Sequence, residues 1–326
     1  MPAGRVLMTD NIFASLDEFH AELEPIGLKL EVAPASDEAT LVDLVRNAIG
    51  MIVVYAKITD PVIAAAAIAG CRVISRCGIG YDNIDIEAAT RHRVQVTYVP
   101  DYCLDEVADH TIAMLLAFAR GLVPSVLATG SGEWRAPREV MHRLHGRTLA
   151  LIGVGRIGRR VAARAQALGL TVTAYDPYVQ QWDIQGVSRA DSLATALETA
   201  DFVSLHAPLT AENHHLVGGK TLAMMKRKPL LINTARGGLV DLEAVTAALD
   251  RGELAGVALD VFEVEPLKAD HPLRTHPRAL ITPHAAYYSI ESEVELKRRA
   301  AEEVARAFRG EPPRCPVNRL ESSHVG

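Results

Sequence analysis

Three side chains in the second half of the sequence have the types needed to share one reaction: Arg236 in INTARGG, Glu265 in LDVFEVEP and His284 in ITPHAAYYS. Each follows shortly after an apolar, β-like run, and ligands of open parallel sheets bind beyond the carboxyl ends of their strands. Singly they read as a surface cation, a solvated loop acid and a packing histidine. Together they supply what hydride exchange between a secondary alcohol and a ketone requires. A histidine takes up or releases the hydroxyl proton near neutral pH. A carboxylate beside it orients the ring and favours the charged imidazole. An arginine grips a substrate carboxylate and polarises a carbonyl. Such a set reduces a ketone only while the histidine is protonated.

The hydride needs a carrier, and the sequence TLALIGVGRIGRRVA supplies a place for one. Gly153, Gly155 and Gly158 stand in the G-x-G-x-x-G spacing after an apolar run and before a helical stretch, Arg156–Leu168. The first glycine permits the tight turn, the second lets the backbone approach a pyrophosphate, and the third lets helix and strand pack closely. The helix start, with Arg156 and Ile157, offers backbone N–H groups to phosphate. Asp176 stands eighteen residues after Gly158, at the end of the next β-like run, and Pro177 and Tyr178 follow it. A carboxylate there accepts both ribose hydroxyls and repels a 2′-phosphate, which points to NAD over NADP.

The elements that must position these groups alternate. Arg5–Met8, Met51–Val54, Val73–Ser75 and Val94–Thr97 read as strands, with helices over Asp37–Ala48 and Pro61–Ala69. Leu104–Arg120 reads as a long apolar helix and Gly121–Pro137 as a looser stretch. Strands resume at Leu149–Ile152, Thr171–Tyr175, Phe202–Leu205, Leu230–Asn233, Gly256–Leu259 and Ala279–Ile281, and a capped amphipathic helix spans Ser289–Gly310. Strand–helix alternation implies parallel sheets covered by helices. In 326 residues it implies two α/β units, each a doubly wound parallel sheet. Hydrophobic residues at 49%, charged residues at 23% and a net charge of −6 fit a globular protein and leave no basic surface for nucleic acid. No apolar run is long enough to span a membrane. Cys71, Cys77, Cys103 and Cys315 lack metal-ligand spacing, so no metal site is expected; reduced thiols and a cytoplasmic setting are.

In its motifs and their order, GVGRIG, NTARGG, LDVFEVEP and TPH, the sequence resembles the D-isomer-specific 2-hydroxyacid dehydrogenase family over almost its whole length. The resemblance implies a Rossmann NAD domain, 101–289, inserted in a flavodoxin-like substrate domain, 1–100 with 290–326, which closes over the cofactor. It implies a homodimer built on an arm near 121–147. Arg236 would bind substrate, His284 would be the acid/base and Glu265 its partner, since the family's glutamate directly precedes the proline; Glu263 competes for that place. Asp260 would meet the nicotinamide carboxamide. Thr234 and Ala235 would line the cofactor, as would His206, Ala207 and Pro208 of SLHAPLT, with His206 structural. ISRCGIGYDNID resembles the substrate loop, where Gly78 and Ile79 offer N–H groups to the substrate carboxylate and Arg76 a second cation. TPHAAYYS and EPPRCPVN most resemble the branch containing the C-terminal binding proteins, NAD(H)-sensing corepressors, although those carry tryptophan where Tyr287 stands.

An NAD-dependent oxidoreductase of small 2-hydroxy and 2-keto acids is the reading the sequence favours, with a corepressor-like binding protein or a phosphoglycerate dehydrogenase as alternatives. By resemblance, Val53 and Tyr55 occupy places where phosphoglycerate dehydrogenases carry phosphate-binding arginines. Apolar and aromatic walls do not offset the desolvation of a phosphate dianion. Glyoxylate, hydroxypyruvate or a short apolar 2-keto acid is therefore expected to serve better than phosphohydroxypyruvate, with Lys57 the one nearby cation that argues otherwise.

Overall fold

Short apolar strands separated by helices force each chain reversal to cross a sheet face, so neighbouring strands run parallel. The computed structural model, which describes residues 4–135 and 141–320, contains two such sheets. The chain divides into two compact units, one made of Met1–Tyr102 and Ser289–Gly326, the other of Cys103–Tyr288.

The first unit runs β1 (Gly4–Met8), α1 (Asp17–Leu23), β2 (Leu28–Val32), α2 (Glu38–Leu44), β3 (Gly50–Val53), α3 (Asp60–Ile68), β4 (Val73–Arg76), α4 (Ile86–Arg91) and β5 (Gln95–Thr97). Its five strands are parallel in the order β2-β1-β3-β4-β5, the flavodoxin-like order. Leu7, Met51, Val53, Ile74 and Val96 enter one core with Val62 and Ile63 of α3. The elements α1, β2 and α4 are not among those the sequence pattern marks. In β2, Lys29 and Glu31 interrupt an edge strand of which only Leu28 is buried, so little apolar pattern marks it.

The last helix completes this unit. Ser289 caps α11 (Ile290–Arg309) by accepting the Ser292 N–H, and Gly310 ends it in the left-handed conformation at φ 74°. The helix packs on α1, β3 and β4, and the Ser75 hydroxyl donates to the Ala300 carbonyl at 2.8 Å. Beyond it, the Val317 N–H donates to Val96 O and Asn318 bonds the backbone of Val94 and Val96, covering the β5 edge.

The second unit opens with α5 (Leu104–Ala119) and α6 (Leu122–Gly130). It continues through β6 (Thr148–Ile152), α7 (Arg156–Ala167), β7 (Thr171–Tyr175), β8 (Val187–Arg189), α8 (Leu193–Glu198) and β9 (Phe202–Leu205). It closes with α9 (Gly219–Leu222), β10 (Leu230–Asn233), α10 (Leu242–Asp250), β11 (Gly256–Leu259) and β12 (Ala279–Ile281). Seven parallel strands lie in the order β12-β11-β10-β9-β6-β7-β8. The winding reverses at β6, the switch point where an α/β sheet opens a ligand crevice. Alternation sorts the strand residues: Leu149 and Leu151 pack with Leu115 of α5 and Val161 of α7, and Ala150 and Ile152 with Leu197 of α8 and Val245 of α10.

The stretch expected to be loose holds α6. Pro124 falls in its first turn, where a missing N–H leaves no intrahelical bond unmade. No residue of α6 is buried, and Leu122, Val126 and Leu127 are 56%, 63% and 68% exposed. Residues 136–140 of the expected arm lie outside the described residues.

Candidate active site

Gly153 takes φ 95° at the end of β6, with its N–H on Tyr175 O at 2.9 Å. A Cβ there would lie 2.7 Å from the His206 backbone, and one at Gly158 would lie 2.5 Å from Gly153 O, so both close contacts require glycine. At Gly155 the same test finds nothing within 4 Å: this glycine opens space where the other two close it. Exposed Arg156 and half-buried Ile157 begin α7 there, and N–H groups of a first helical turn have no intrahelical acceptor. Asp176, just past β7, accepts the Val154 N–H on Oδ2 and the Tyr178 N–H on Oδ1, both at 3.0 Å. Two bonds leave acceptor capacity on a carboxylate. The cradle therefore fits a dinucleotide: open at the phosphate turn, with an acid at the ribose position.

His206 closes the adjacent wall. Its N–H donates to Ile152 O and its Nε2 lies 2.9 Å from Ser204 Oγ. Burial pushes its pKa down to about 4, so the ring is neutral near pH 7. Half-buried Ala207 and exposed Pro208 follow it.

Adjacent strands β10, β11 and β12 deliver the other groups. Asn233 pairs with Leu259 in register, and Leu259 with Ile281. Arg236 and His284 each stand three residues past those partners, at one edge of the sheet. Glu265 Oε2 lies 2.7 Å from His284 Nδ1, while Oε1 accepts the Phe262 N–H at 2.8 Å. This pairing places the ring proton on Nδ1 and turns acid/base chemistry to Nε2. His284 has φ 53°, a left-handed conformation, and the Tyr287 ring meets its edge at 6.2 Å. Glu263, the rival glutamate, pairs instead with His214 and His215. Half-buried Arg236 donates from Nη1 to Ala235 O at 2.7 Å, and buried Asn233 shapes that turn by accepting the Ala235 N–H and donating to Arg236 O.

Two side chains expected on the cofactor also make bonds within the unit. Thr111 donates its hydroxyl proton to Val107 O, so at the 2.8 Å contact between Thr111 and Thr234 it is Thr234 that donates. Its hydroxyl is turned into α5. Asp260 is 1% exposed, and its carboxylate accepts from Thr282 Oγ1 at 2.5 Å, Ala285 N–H at 2.9 Å and Ala286 N–H at 3.0 Å. Its carbonyl accepts the His284 N–H at 2.8 Å. Asp260 thus holds the turn that carries His284.

In the first unit, Gly78 has φ 150°, and a Cβ there would strike the Arg76 guanidinium. Arg76 is 8% exposed; its Nη1 donates to Cys77 O and the guanidinium sits 5.9 Å from the Tyr55 ring centre. Ile79 is half-buried and Tyr55 45% exposed, whereas Val53 is wholly buried and lines no surface.

Residues 112–286 match the NAD binding domain of the D-isomer specific 2-hydroxyacid dehydrogenases. This chain belongs to that family. A D-3-phosphoglycerate dehydrogenase of Methanocaldococcus jannaschii is 36% identical over 96% of the chain, which spans only 59% of that relative's length. A glyoxylate reductase of Korarchaeum cryptofilum is 36% identical over 92% of the chain and 91% of its own length. A crystal structure of D-lactate dehydrogenase from Aquifex aeolicus, complexed with NAD and lactic acid, superposes with a TM-score of 0.85 at 28% identity, covering 94% of this chain and 96% of that one.

The family motifs drew attention to the groups that do chemistry and away from those that hold them. Asp10 accepts the Val54, Tyr55 and Ala56 N–H groups, and Asn83 donates to the Val54 and Ala56 carbonyls, so the Tyr55 loop is fixed from both sides. Its position two residues past β1 is the one sequence cue to Asp10. His110, in mid-helix α5, places Nε2 3.0 Å from Thr282 Oγ1. Helical spacing alone gives no hint of that contact.

Proposed function

We propose that the chain is an NAD-dependent oxidoreductase interconverting small D-2-hydroxy acids and 2-keto acids. The observation that carries the reading is the 2.7 Å pair of His284 Nδ1 and Glu265 Oε2 at the same sheet edge as Arg236, in an NAD-binding domain. Bound NAD(H) supplies or accepts the hydride. With Nδ1 engaged by Glu265, His284 Nε2 gives its proton to the substrate carbonyl oxygen in reduction and takes the hydroxyl proton in oxidation. Glu265 holds the ring in place and offsets the imidazolium charge. Arg236 supplies the planar cation that suits a carboxylate and polarises the carbonyl. In the first unit, the Ile79 N–H and Arg76 are the groups suited to a carboxylate, since the Gly78 N–H expected to join them donates instead to Arg76 O at 3.0 Å. Asp176 selects NAD.

A small side chain on the substrate is favoured because Tyr55, an aromatic, is the exposed member of the pair at the phosphate-arginine places. Glyoxylate and hydroxypyruvate fit it. Phosphohydroxypyruvate is the second reading, favoured by the 36% identity to the phosphoglycerate dehydrogenase and by exposed Lys57. The unburied apolar face of α6 supports a homodimer through the 121–147 arm. Four free cysteines, and the absence among the described residues of any single helix long and apolar enough to cross a membrane, support a cytoplasmic setting.

The test follows NADH consumption with a panel of 2-keto acids, for the parent chain, His284→Asn and Lys57→Ala. Turnover with glyoxylate or hydroxypyruvate is expected, lost in His284→Asn while NADH still binds. An active His284→Asn variant overturns the mechanism. A kcat/KM tenfold higher for phosphohydroxypyruvate, about 1.4 kcal/mol in the transition state, overturns the substrate assignment. An NADH-binding chain that reduces none of the acids is a binding protein instead.

A further inference from the structure

We propose that His214, His215 and Glu263 form a binding site for a divalent transition cation, with Zn2+ the ion best matched to the donors. His214 Nε2 lies 2.8 Å from Glu263 Oε1, and His215 Nε2 lies 3.1 Å from Oε2. The two rings stack with centres 3.9 Å apart and planes at 26°. One nitrogen from each histidine and one oxygen from the glutamate all fall within 4.8 Å of each other. Tetrahedral zinc, with bonds of about 2.0–2.1 Å, holds its ligand atoms roughly 3.4 Å apart. Each histidine nitrogen faces a different Glu263 oxygen at somewhat less than that spacing, and all three side chains are exposed enough for one oxygen to turn between the two rings. Two imidazoles and a carboxylate form a borderline-soft set that leaves a coordination position for water.

The cluster is built rather than incidental. Neighbouring side chains of an extended chain point to opposite faces. Here His215 is held at φ 54°, left-handed for a non-glycine residue, and the two rings share a side. Such strain persists only where the surroundings fix it. The His215 N–H donates to Gly238 O at 2.8 Å and the Val217 N–H to Leu239 O at 2.9 Å. Asn213 locks the preceding loop by accepting the Thr210 N–H and donating to Pro208 O. Glu263 rests on the same turn from the other side, for a Cβ on Gly237 would overlap the Phe262 and Glu263 backbone. Ligands nearly fifty residues apart in sequence are therefore mounted on the single turn Gly237–Leu239. Because Glu265 serves His284, this cluster is separate from the acid/base pair.

The experiment titrates the full chain with Zn2+ against a chromophoric chelator, then with Co2+ followed by visible absorption. The variants are Glu263→Gln and His214→Ala/His215→Asn, the asparagine chosen because it tolerates left-handed backbone. Parent and variants all carry His284→Asn, which removes the acid/base histidine as a competing ligand. One Zn2+ equivalent is expected in the parent, weakened at least tenfold in both variants, with Co2+ bands characteristic of imidazole ligation lost alongside. Equal Zn2+ stoichiometry and affinity in parent and variants overturn the site. If the double variant fails to fold, the near-isosteric Glu263→Gln decides by the same criterion.

Discussion

Replacing Asp260 by alanine tests whether this residue serves the cofactor or the turn bearing His284. Its buried carboxylate satisfies the Thr282 hydroxyl and the Ala285 and Ala286 N–H groups. Leaving a buried donor unsatisfied costs about 1–3 kcal/mol. Three donors, with water reaching half-buried Ala285, give a loss on the order of 3–5 kcal/mol. In a unit of this size, 1 kcal/mol lowers the melting temperature by roughly 2–4 °C, so Asp260→Ala should melt on the order of 10 °C below the parent by calorimetry. His284, left-handed and bonded to the Asp260 carbonyl, then loses the clamp on either side of it. A displacement of about 1 Å at a reacting group costs about 100-fold in rate. The expected pattern is a large fall in kcat with NADH affinity changed little. An unshifted melting temperature with the loss confined to NADH binding would refute the reasoning and make Asp260 a cofactor contact.

Asp176→Ala should weaken NAD far more than NADP in direct binding; equal losses would mean that the carboxylate does not read the ribose. His206, whose pKa falls to about 4 on folding from 6.5, stays neutral in the folded chain while the unfolded chain takes up a proton. Stability present above pH 6.5 is therefore lost as pH falls toward 4, by at most about 3 kcal/mol. Its imidazole resonances should not move between pH 7 and 5 in the folded chain, and titration near 6.5 refutes the assignment. Burial raises the Cys71 and Cys77 thiols to about 12, so a thiol reagent at pH 8 should label neither before unfolding. Rapid labelling by mass spectrometry would show that one of them is open to solvent.

What the sequence discloses is backbone demand and residue type, and what it hides is side-chain direction. The glycine turn was legible because Gly153 and Gly158 stand where any Cβ collides, a constraint that shows as spacing. Glu265 was singled out over Glu263 only through the family's proline. Both glutamates lie in one loop, and which histidine each one meets depends on segments far away in sequence. At Thr234 and Asp260 residue type and position do not disclose the bonds their side chains also make, to α5 and to the 282–286 turn. The helix at 122–130 is hidden in the sequence because Pro124 and Gly130 argue against one, and none of its residues is buried to leave an apolar stripe. Edge strand β2 is hidden by Lys29 and Glu31 for a related reason: little of it needs to be buried.

The return of α11 to the first unit has a consequence for biosynthesis. Residues 103–288 form a contiguous unit, while the sheet of residues 4–97 waits for a helix encoded almost two hundred residues later. A ribosome delivers the β3–β4 face long before Ala300 and Val304 arrive to cover it. The inserted unit can therefore complete its fold while the earlier one is still open, and the first-begun sheet is the last to close. Until then its uncovered apolar face is a natural target for a chaperone that shields unfinished surfaces. Cutting the chain before residue 290 should leave the inserted unit folded and the first hundred residues prone to aggregate.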